Sequence, residues 1–430
     1  MKVEIVKYNP EWKSFYLAES GRIKASCGES ILTMEHAGST SVEGLSAKPI
    51  IDIYIGTKSL SDADSLIGPL KNLGYEYVKE FEKEMPFRRY FRKDIDGKRK
   101  FHIHAVPASH PFRRDDLMFR DYITVNQKAK KDYEDLKYDL AKKEWTENDS
   151  YTNAKTAICL KIKEDAFSFF SEQYEKTESL ATYLMHSYAT EDARKKAKFK
   201  LLRQGDLTAI RTDIFPGFSL NRALGLKKID EKVLNFTEEF FKGKPGKFAL
   251  QIHPSLLNNE KTELLKSKGY SFANSWVTFY RDSSPVESGG TDLEIKEIGT
   301  EFAADFGRIL DEIFSFPHEF DDIASSAVGR KEWVTFMAFD RDKIAGSAAV
   351  CITGEYAYLA FANVLPEYRR RGIQGELLSR RIDAARERGV KWIFVDTAET
   401  SEENPNPSYW NMLRHGFRLF YNRPNYVKVQ

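Results

Sequence analysis

One run of this sequence fixes more about its fold than any other: a strand, a basic glycine-containing turn and a helix, in that order, between residues 356 and 387. Tyr356-Ala357-Tyr358-Leu359-Ala360-Phe361-Ala362-Asn363-Val364 reads as a buried strand, Pro366 ends it, and Gly372 precedes a helix expected over Glu376 to Glu387. The first N–H groups of a helix have no partner inside it, and its dipole favours negative charge at that end. A strand feeding such a turn therefore builds an anion cradle, with Gly372 allowing close backbone approach and Arg369, Arg370 and Arg371 supplying positive charge. A pyrophosphate suits it.

The rest of the chain is too long for one core. At 430 residues, with 41% hydrophobic and 30% charged residues, it has material for two to four packed domains and no composition of disorder. The 66 Lys and Arg nearly balance 64 Asp and Glu, a formal net charge of +2, so no whole-molecule field favours nucleic acid or a membrane surface. The first residues lack the apolar core of a signal peptide, and no stretch has the ~20 apolar residues of a membrane helix, so the expected location is the cytoplasm. Cys27, Cys159 and Cys351 fit neither a disulfide framework nor a zinc spacing.

Punctuation divides the chain into three. Residues 1–170 mix strand-like and helical runs, 175–288 form a second α/β segment, and the Ser-, Pro- and Gly-rich stretch 282–290 marks an exposed linker before the third, 291–430. The second and third segments repeat one element order: charged helix, strand, polar loop, helix, Gly-aromatic pair, strand.

In the third segment, Leu365-Pro366-Glu367-Tyr368-Arg369-Arg370-Arg371-Gly372-Ile373-Gln374-Gly375, followed by Arg381 and by Asn411 to Gly416-Phe417, resembles the acetyl-CoA signature of GNAT acetyltransferases. The resemblance implies that Val364, Arg369, Arg370, Arg371, Gly372, Ile373, Gln374, Gly375 and Asn411 hold the coenzyme. Gln374 stands where the family usually has Gly or Ala. Met412 stands where many members place a Tyr that protonates the departing thiolate, which leaves Tyr409, one turn earlier, as the expected acid. Glu355, His318 and Glu319 are the expected proton acceptors, Glu355 foremost. The second segment resembles the degenerate first half of tandem GNAT proteins, without a coenzyme turn.

In the first segment, Gly38-Ser39-Thr40-Ser41, Lys48 and Asp52 have the residue types of a phosphate loop followed by a strand carboxylate. His102 and His104 point to one side of a short strand and give Asp52 nitrogen neighbours, as metal ligands or as hydrogen-bonded partners; a metal there would be a transition metal rather than Mg²⁺. Tyr8-Asn9-Pro10-Glu11-Trp12, His36 to Asp52, His102-Ile103-His104 and Phe119-Arg120-Asp121-Tyr122 resemble the GrpB (UPF0157) family, assigned to the nucleotidyltransferase superfamily. That implies nucleotide binding at Gly38, Ser39, Thr40, Ser41 and Lys48 and a divalent metal at Asp52, His102 and His104. Active transferases carry a second strand carboxylate, and here Tyr54 occupies its place.

The expected fold is therefore α/β (α+β): a nucleotidyltransferase-like domain followed by two GNAT-like mixed-sheet domains. The expected function is acetyl-CoA-dependent acetylation of a small-molecule amine, beside a nucleotide-binding domain. A non-catalytic CoA- and nucleotide-binding sensor, and a nucleotidyltransferase acting on a small molecule such as an antibiotic, are the alternatives.

Overall fold

The computed structural model describes residues 3–145 and 148–429 in two units, Met1–Ser171 and Glu172–Gln430. The first unit is built on a five-stranded sheet of β1 (Thr33–Ala37), β2 (Ile51–Thr57), β3 (Glu76–Tyr77), β4 (Arg89–Ile95) and β5 (Lys98–Pro107), in the order β1-β2-β5-β4-β3. β2 and β5 run parallel, with Asp52 beside His102 and Tyr54 beside His104; the other pairs are antiparallel. Strand alternation sorts the two faces. Ile51, Ile53 and Ile55 of β2 and Phe101, Ile103 and Ala105 of β5 pack with Trp12 and Ile23 from the helix Glu11–Cys27. Asp52, Tyr54, His102 and His104 occupy the opposite face.

In the second unit, eleven strands join in one sheet among the described residues. They are β6 (Phe199–Gln204), β7 (Leu207–Thr212), β8 (Arg222–Leu224), β9 (Lys247–Gln251), β10 (Ser271–Asp282), β11 (Glu294–Glu297), β12 (Trp333–Asp340), β13 (Lys343–Thr353), β14 (Tyr356–Val364), β15 (Trp392–Ala398) and β16 (Arg418–Val429). Their order is β11-β12-β13-β14-β15-β10-β16-β9-β8-β7-β6.

This order makes the repeat physical. The unit β9, helix Asn259–Ser267, β10 corresponds to β15, helix Pro407–Arg414, β16. β8 runs parallel to β9 as β14 does to β15. Each half gives its last strand to the other: β10 pairs with β15, β16 pairs with β9, and β10 and β16 pair with each other. The linker 282–290 thus separates the halves along the chain and does not separate them in the sheet.

Charge is buried where the halves exchange strands. Arg423 of β16 is fully buried and meets both oxygens of Glu178, itself fully buried in the helix Thr156–Ser187, and Asp396 Oδ2 of β15 at 3.1 Å. Glu175 accepts from Tyr421 Oη at 2.7 Å.

Candidate functional site

β14 and β15 pair only through Tyr356–Trp392, Ala357–Ile393 and Tyr358–Phe394, and then diverge into a fork. Beyond the last pair β14 bulges: its register against β13 shifts between Ser347 and Ala349, and Phe361 adopts φ +53°. Asn363 holds the bulge, donating to Ser347 Oγ at 2.7 Å and Phe361 O at 3.2 Å. A bulge leaves backbone groups outside the ladder. The cavity at the fork has a volume of about 450 Å³. Leu359, Ala360 and Phe361 line it from β14 and Gln374 and Arg381 from the following helix; Arg222 and Trp276 line it from the half that precedes the linker.

The turn after β14 has the shape expected of it. Gly372 takes φ +73° immediately before the helix Ile373–Glu387, and Arg370 is also left-handed at φ +66°. Arg369 and Arg370 are exposed, with no ion pair among the described residues. Arg371 is committed elsewhere, to Asp292 and to Asp340 at 3.0 Å, so its charge serves the fold. Val364 closes β14 against Gly346, and its carbonyl accepts from Arg369 Nε at 3.4 Å. Ile373 is buried beneath the turn. Gly375 packs on the linker: a Cβ there would lie 3.2 Å from Gly289 Cα, and one on Gly372 would lie 2.0 Å from Gly290 O. Ser288 bonds Glu376, and Ser379 Oγ donates to Glu287 O at 3.2 Å, so residues 287–290 strap the flank of the turn.

Gln374 gains a role from its longer side chain. It donates to Ser408 Oγ at 2.6 Å and accepts from Asn411 Nδ2 at 2.7 Å, tying the turn to the helix Pro407–Arg414 and orienting Asn411.

The two residues expected to act as acid and base lie away from the cavity. Glu355 sits exposed at the tip of the β13–β14 hairpin, paired with Lys391. Tyr409 is buried with its ring 5.3 Å from Phe279, because the helix Pro407–Arg414 turns Ser408 and Met412 to the cavity instead. His318 is a solvated residue beside Glu319.

A different carboxylate lines the cavity. Asp396, two residues past the last β14–β15 pair, accepts from Tyr358 Oη at 3.0 Å, Tyr174 Oη at 3.1 Å and Arg423. Burial and the nearby charge of Glu178, opposed by Arg423, push it up to about 6. The sequence signal was a lone acid at the end of the apolar run Trp392-Ile393-Phe394-Val395.

In the first unit, Gly38 is left-handed at φ +67°, and a Cβ there would lie 2.1 Å from Asp52 Oδ2, so the loop and the carboxylate are pressed together. Asp52 accepts from His102 Nδ1 at 3.2 Å, with His104 Nε2 3.9 Å away. Burial pulls His104 down to about 3; its Nδ1 accepts from Arg88 at 3.3 Å, which leaves the proton on the nitrogen facing Asp52. Burial opposes ionisation of Asp52, but the His102 hydrogen bond holds its carboxyl below the usual range. This is direct hydrogen bonding. Among the described residues no group of three or more His, Cys, Asp and Glu is placed to hold a metal ion, which corrects the expectation of one at Asp52, His102 and His104.

The loop residues sit among lysines instead. Lys137 Nζ donates to Ser46 O and to Ser39 Oγ at 3.3 Å. Lys48 and Lys155 flank the Tyr151 ring at 4.3 and 4.7 Å. Burial pulls Lys137 down to about 7 and Lys48 to about 8, with the charge of Lys155 adding to both. Thr40 bonds His36 at 3.0 Å and Ser41 bonds the Gly38 carbonyl at 2.6 Å, whereas Ser39 accepts from Lys137. Lys137 and Lys155 escaped the sequence reading, although Lys137 lies on the buried stripe of Tyr133 and Leu140.

A family model described as GrpB protein matches residues 2–165. Glutamate-rich protein GrpB of Alkalihalophilus pseudofirmus is 33% identical over 158 residues, covering 36% of this chain and 90% of that protein. The chain belongs to the GrpB family. Beyond the GrpB match, the acetyltransferase (GNAT) family model matches residues 302–417, so the second unit carries a GNAT acetyltransferase domain. The crystal structure of GrpB from Enterococcus faecalis is 32% identical, covering 39% of this chain and 99% of that one, with a TM-score of 0.36. A GCN5-related N-acetyltransferase from Kribbella flavida is 13% identical, covering 55% of this chain and 95% of that one, with a TM-score of 0.39. No helix among the described residues is long and apolar enough to cross a membrane.

Proposed function

We propose that the GNAT domain transfers an acyl group from acetyl-CoA to a small-molecule amine, with Asp396 accepting the amine's proton. The observation that carries this reading is the fork: one cavity reached by the anion turn's Gln374, the bulged strand β14 and a carboxylate. The coenzyme suits the residues present, because the helix Ile373–Glu387 begins at a left-handed glycine with two exposed, unpaired arginines beside it. Arg369, Arg370 and the backbone of Gly372 to Gly375 would hold its pyrophosphate, Asn411 would be steered by Gln374, and the coenzyme would supply the activated acyl group.

The protein's own part is proton handling and positioning. An amine enters largely as ammonium and must lose a proton before it can attack. A carboxylate pushed up to about 6 is a far better acceptor than an ordinary one, and Tyr358 and Tyr174 hold it in place. With Met412 at the fork, the second N–H proton passes to the leaving thiolate without a side-chain acid.

For the GrpB unit we infer an anion site rather than a metal-dependent transferase. Lys137 reaches Ser39, Lys48 and Lys155 flank Tyr151, burial depresses all three, and among the described residues no carboxylate is bonded to any of them. A nucleotide phosphate is the ligand chemistry this favours.

The test incubates the full chain with acetyl-CoA and a panel of primary amines while thiol release is followed. Release that disappears with Gly372→Glu supports the reading. Tight acetyl-CoA binding without release across the panel replaces it with a binding protein.

A further inference from the structure

Arg381 is a charge in an apolar place. It shares the sheet-facing side of the helix Ile373–Glu387 with Leu377, Leu378, Ile382 and Ala385, and is 1% exposed. Its Nε donates to Leu377 O at 3.0 Å. Its Nη1 makes only long contacts, 3.5 Å to Ala349 O and 3.4 Å to Ala360 O. Nη2 has no partner among the described residues, and no carboxylate pairs with the guanidinium. Burial alone pulls the group down to about 9, so it is still charged at neutral pH. Burying an ion without its counter-ion is destabilising, and a leucine would pack here without that penalty.

The environment points one way. Arg381 lines the fork cavity beside Ala360 and Phe361. Arg222 lines the same cavity, its guanidinium 4.8 Å from the Trp276 ring centroid and its Nε unpartnered. The lining contains one carboxylate, Asp396, which Tyr174, Tyr358 and Arg423 already engage. Arg222 has the carboxylates of Asp396 and Glu178 near it, whereas Arg381 has none, so the uncompensated charge and the free donor at the chamber are those of Arg381.

We infer that the fork cavity takes a substrate carrying a carboxylate, and that Arg381 is the residue that pairs with it. The inference rests on the acyl-transfer reading above. The same chemistry has two sources. The carboxylate sits on the acyl chain, as in a dicarboxylic acyl-CoA, or on the amine acceptor, as in an amino acid.

The experiment uses the full chain and two variants, Arg381→Met and Arg381→Lys. Calorimetric titration compares CoA, acetyl-CoA and succinyl-CoA, and thiol release from acetyl-CoA compares amino acids with their amides. Expected is a preference of tenfold or more for the carboxylate-bearing member in one of these two pairs. Arg381→Met abolishes that preference and Arg381→Lys, which lacks the planar fork, weakens it. Preference for succinyl-CoA assigns the carboxylate to the acyl chain, and preference for amino acids over amides assigns it to the acceptor. Expected also is an Arg381→Met melting temperature equal to or above that of the wild type, since the ligand-free fold gains nothing from the buried charge.

Equal treatment of both members of both pairs by the wild type overturns the inference, as does an Arg381→Met protein that fails to fold or melts well below the wild type, because Arg381 is then a structural residue. Failure of the wild type to bind CoA at all is a different result, which overturns the acyl-transfer reading itself.

Discussion

Replacing Arg423 with Met tests whether the two halves of the second unit are locked by charge as well as by strand exchange. Arg423 and Glu178 are each fully buried, and the guanidinium also reaches Asp396 at 3.1 Å. Methionine fills most of the volume but leaves Glu178 ionisable in a dry interior. Removing one partner of such a pair costs about 3–5 kcal/mol. At about 2–4 °C per kcal/mol for a unit of this size, the melting temperature falls by about 6–20 °C. The double variant Arg423→Met, Glu178→Leu removes both of these charges and recovers part of the loss, the remainder being held by Asp396 and Glu175, which still lack their cation. Scanning calorimetry at neutral pH reads the transition, and hydrogen exchange in β9 and β16 localises it to the exchanged strands. A single variant melting within about 2 °C of the wild type, or a double variant no more stable than the single, refutes the argument.

Asp396, held near 6, gives acetyl transfer an acidic limb: the rate is low while the carboxyl is protonated and rises through pH of about 6. Asp396→Asn lowers the rate by about 10²–10⁴-fold and removes that limb from the pH profile. Gly372→Ala places a Cβ 2.0 Å from Gly290 O at a φ of +73°, so titration calorimetry shows weaker CoA binding and melting shows a loss of about 1–2 kcal/mol. Lys137 is depressed to about 7 in the folded chain, so its native form has lost a proton that the unfolded chain keeps up to its ordinary value near 10.5. Its contribution to stability is therefore present at high pH and is lost as pH falls through 7. Urea unfolding of the GrpB unit between pH 7 and 10 shows this slope, and saturating inorganic pyrophosphate flattens it.

Legibility in the sequence followed the range of the interactions. The turn at Gly372 was readable because everything it needs is local: a strand, a residue free to take positive φ, and a helix start. The meeting of Asp52 with His102 and His104 was half readable. Alternation put both histidines on one face, but only the parallel register of β2 with β5 turns them into direct partners of Asp52. Tyr409 and Glu355 were misplaced because a spacing fixes position along the chain and not the direction of a side chain. One residue along the same helix separates Ser408, which faces the fork, from Tyr409, which does not. Arg381 and Lys137 were hidden for a related reason. A charged residue in an amphipathic helix reads as surface, and only the phase of the apolar stripe, Leu377 to Ile382 in one case and Tyr133 to Leu140 in the other, says that it points inward.

The strand exchange was illegible for the deepest reason. The composition of residues 282–290 marks where the backbone can be exposed, and says nothing about which strand lies beside which. Once β10 lies between β15 and β16, the loss of an anion turn from the half before the linker no longer means a loss of role. β10 carries Trp276 into the fork and β8 carries Arg222 onto it, so the half without a coenzyme turn furnishes one wall of the cavity and a positive charge. A GNAT domain cut at the linker would keep Gly372, Asp396 and Arg381, but would leave the edge of β15 unpaired and the chamber open on the side where Arg222 and Trp276 stand. Specificity in this architecture therefore draws on both halves, Arg381 from the one with the coenzyme motif and Arg222 from the one without it, and substitutions at Arg222 shift acceptor KM while leaving CoA binding unchanged.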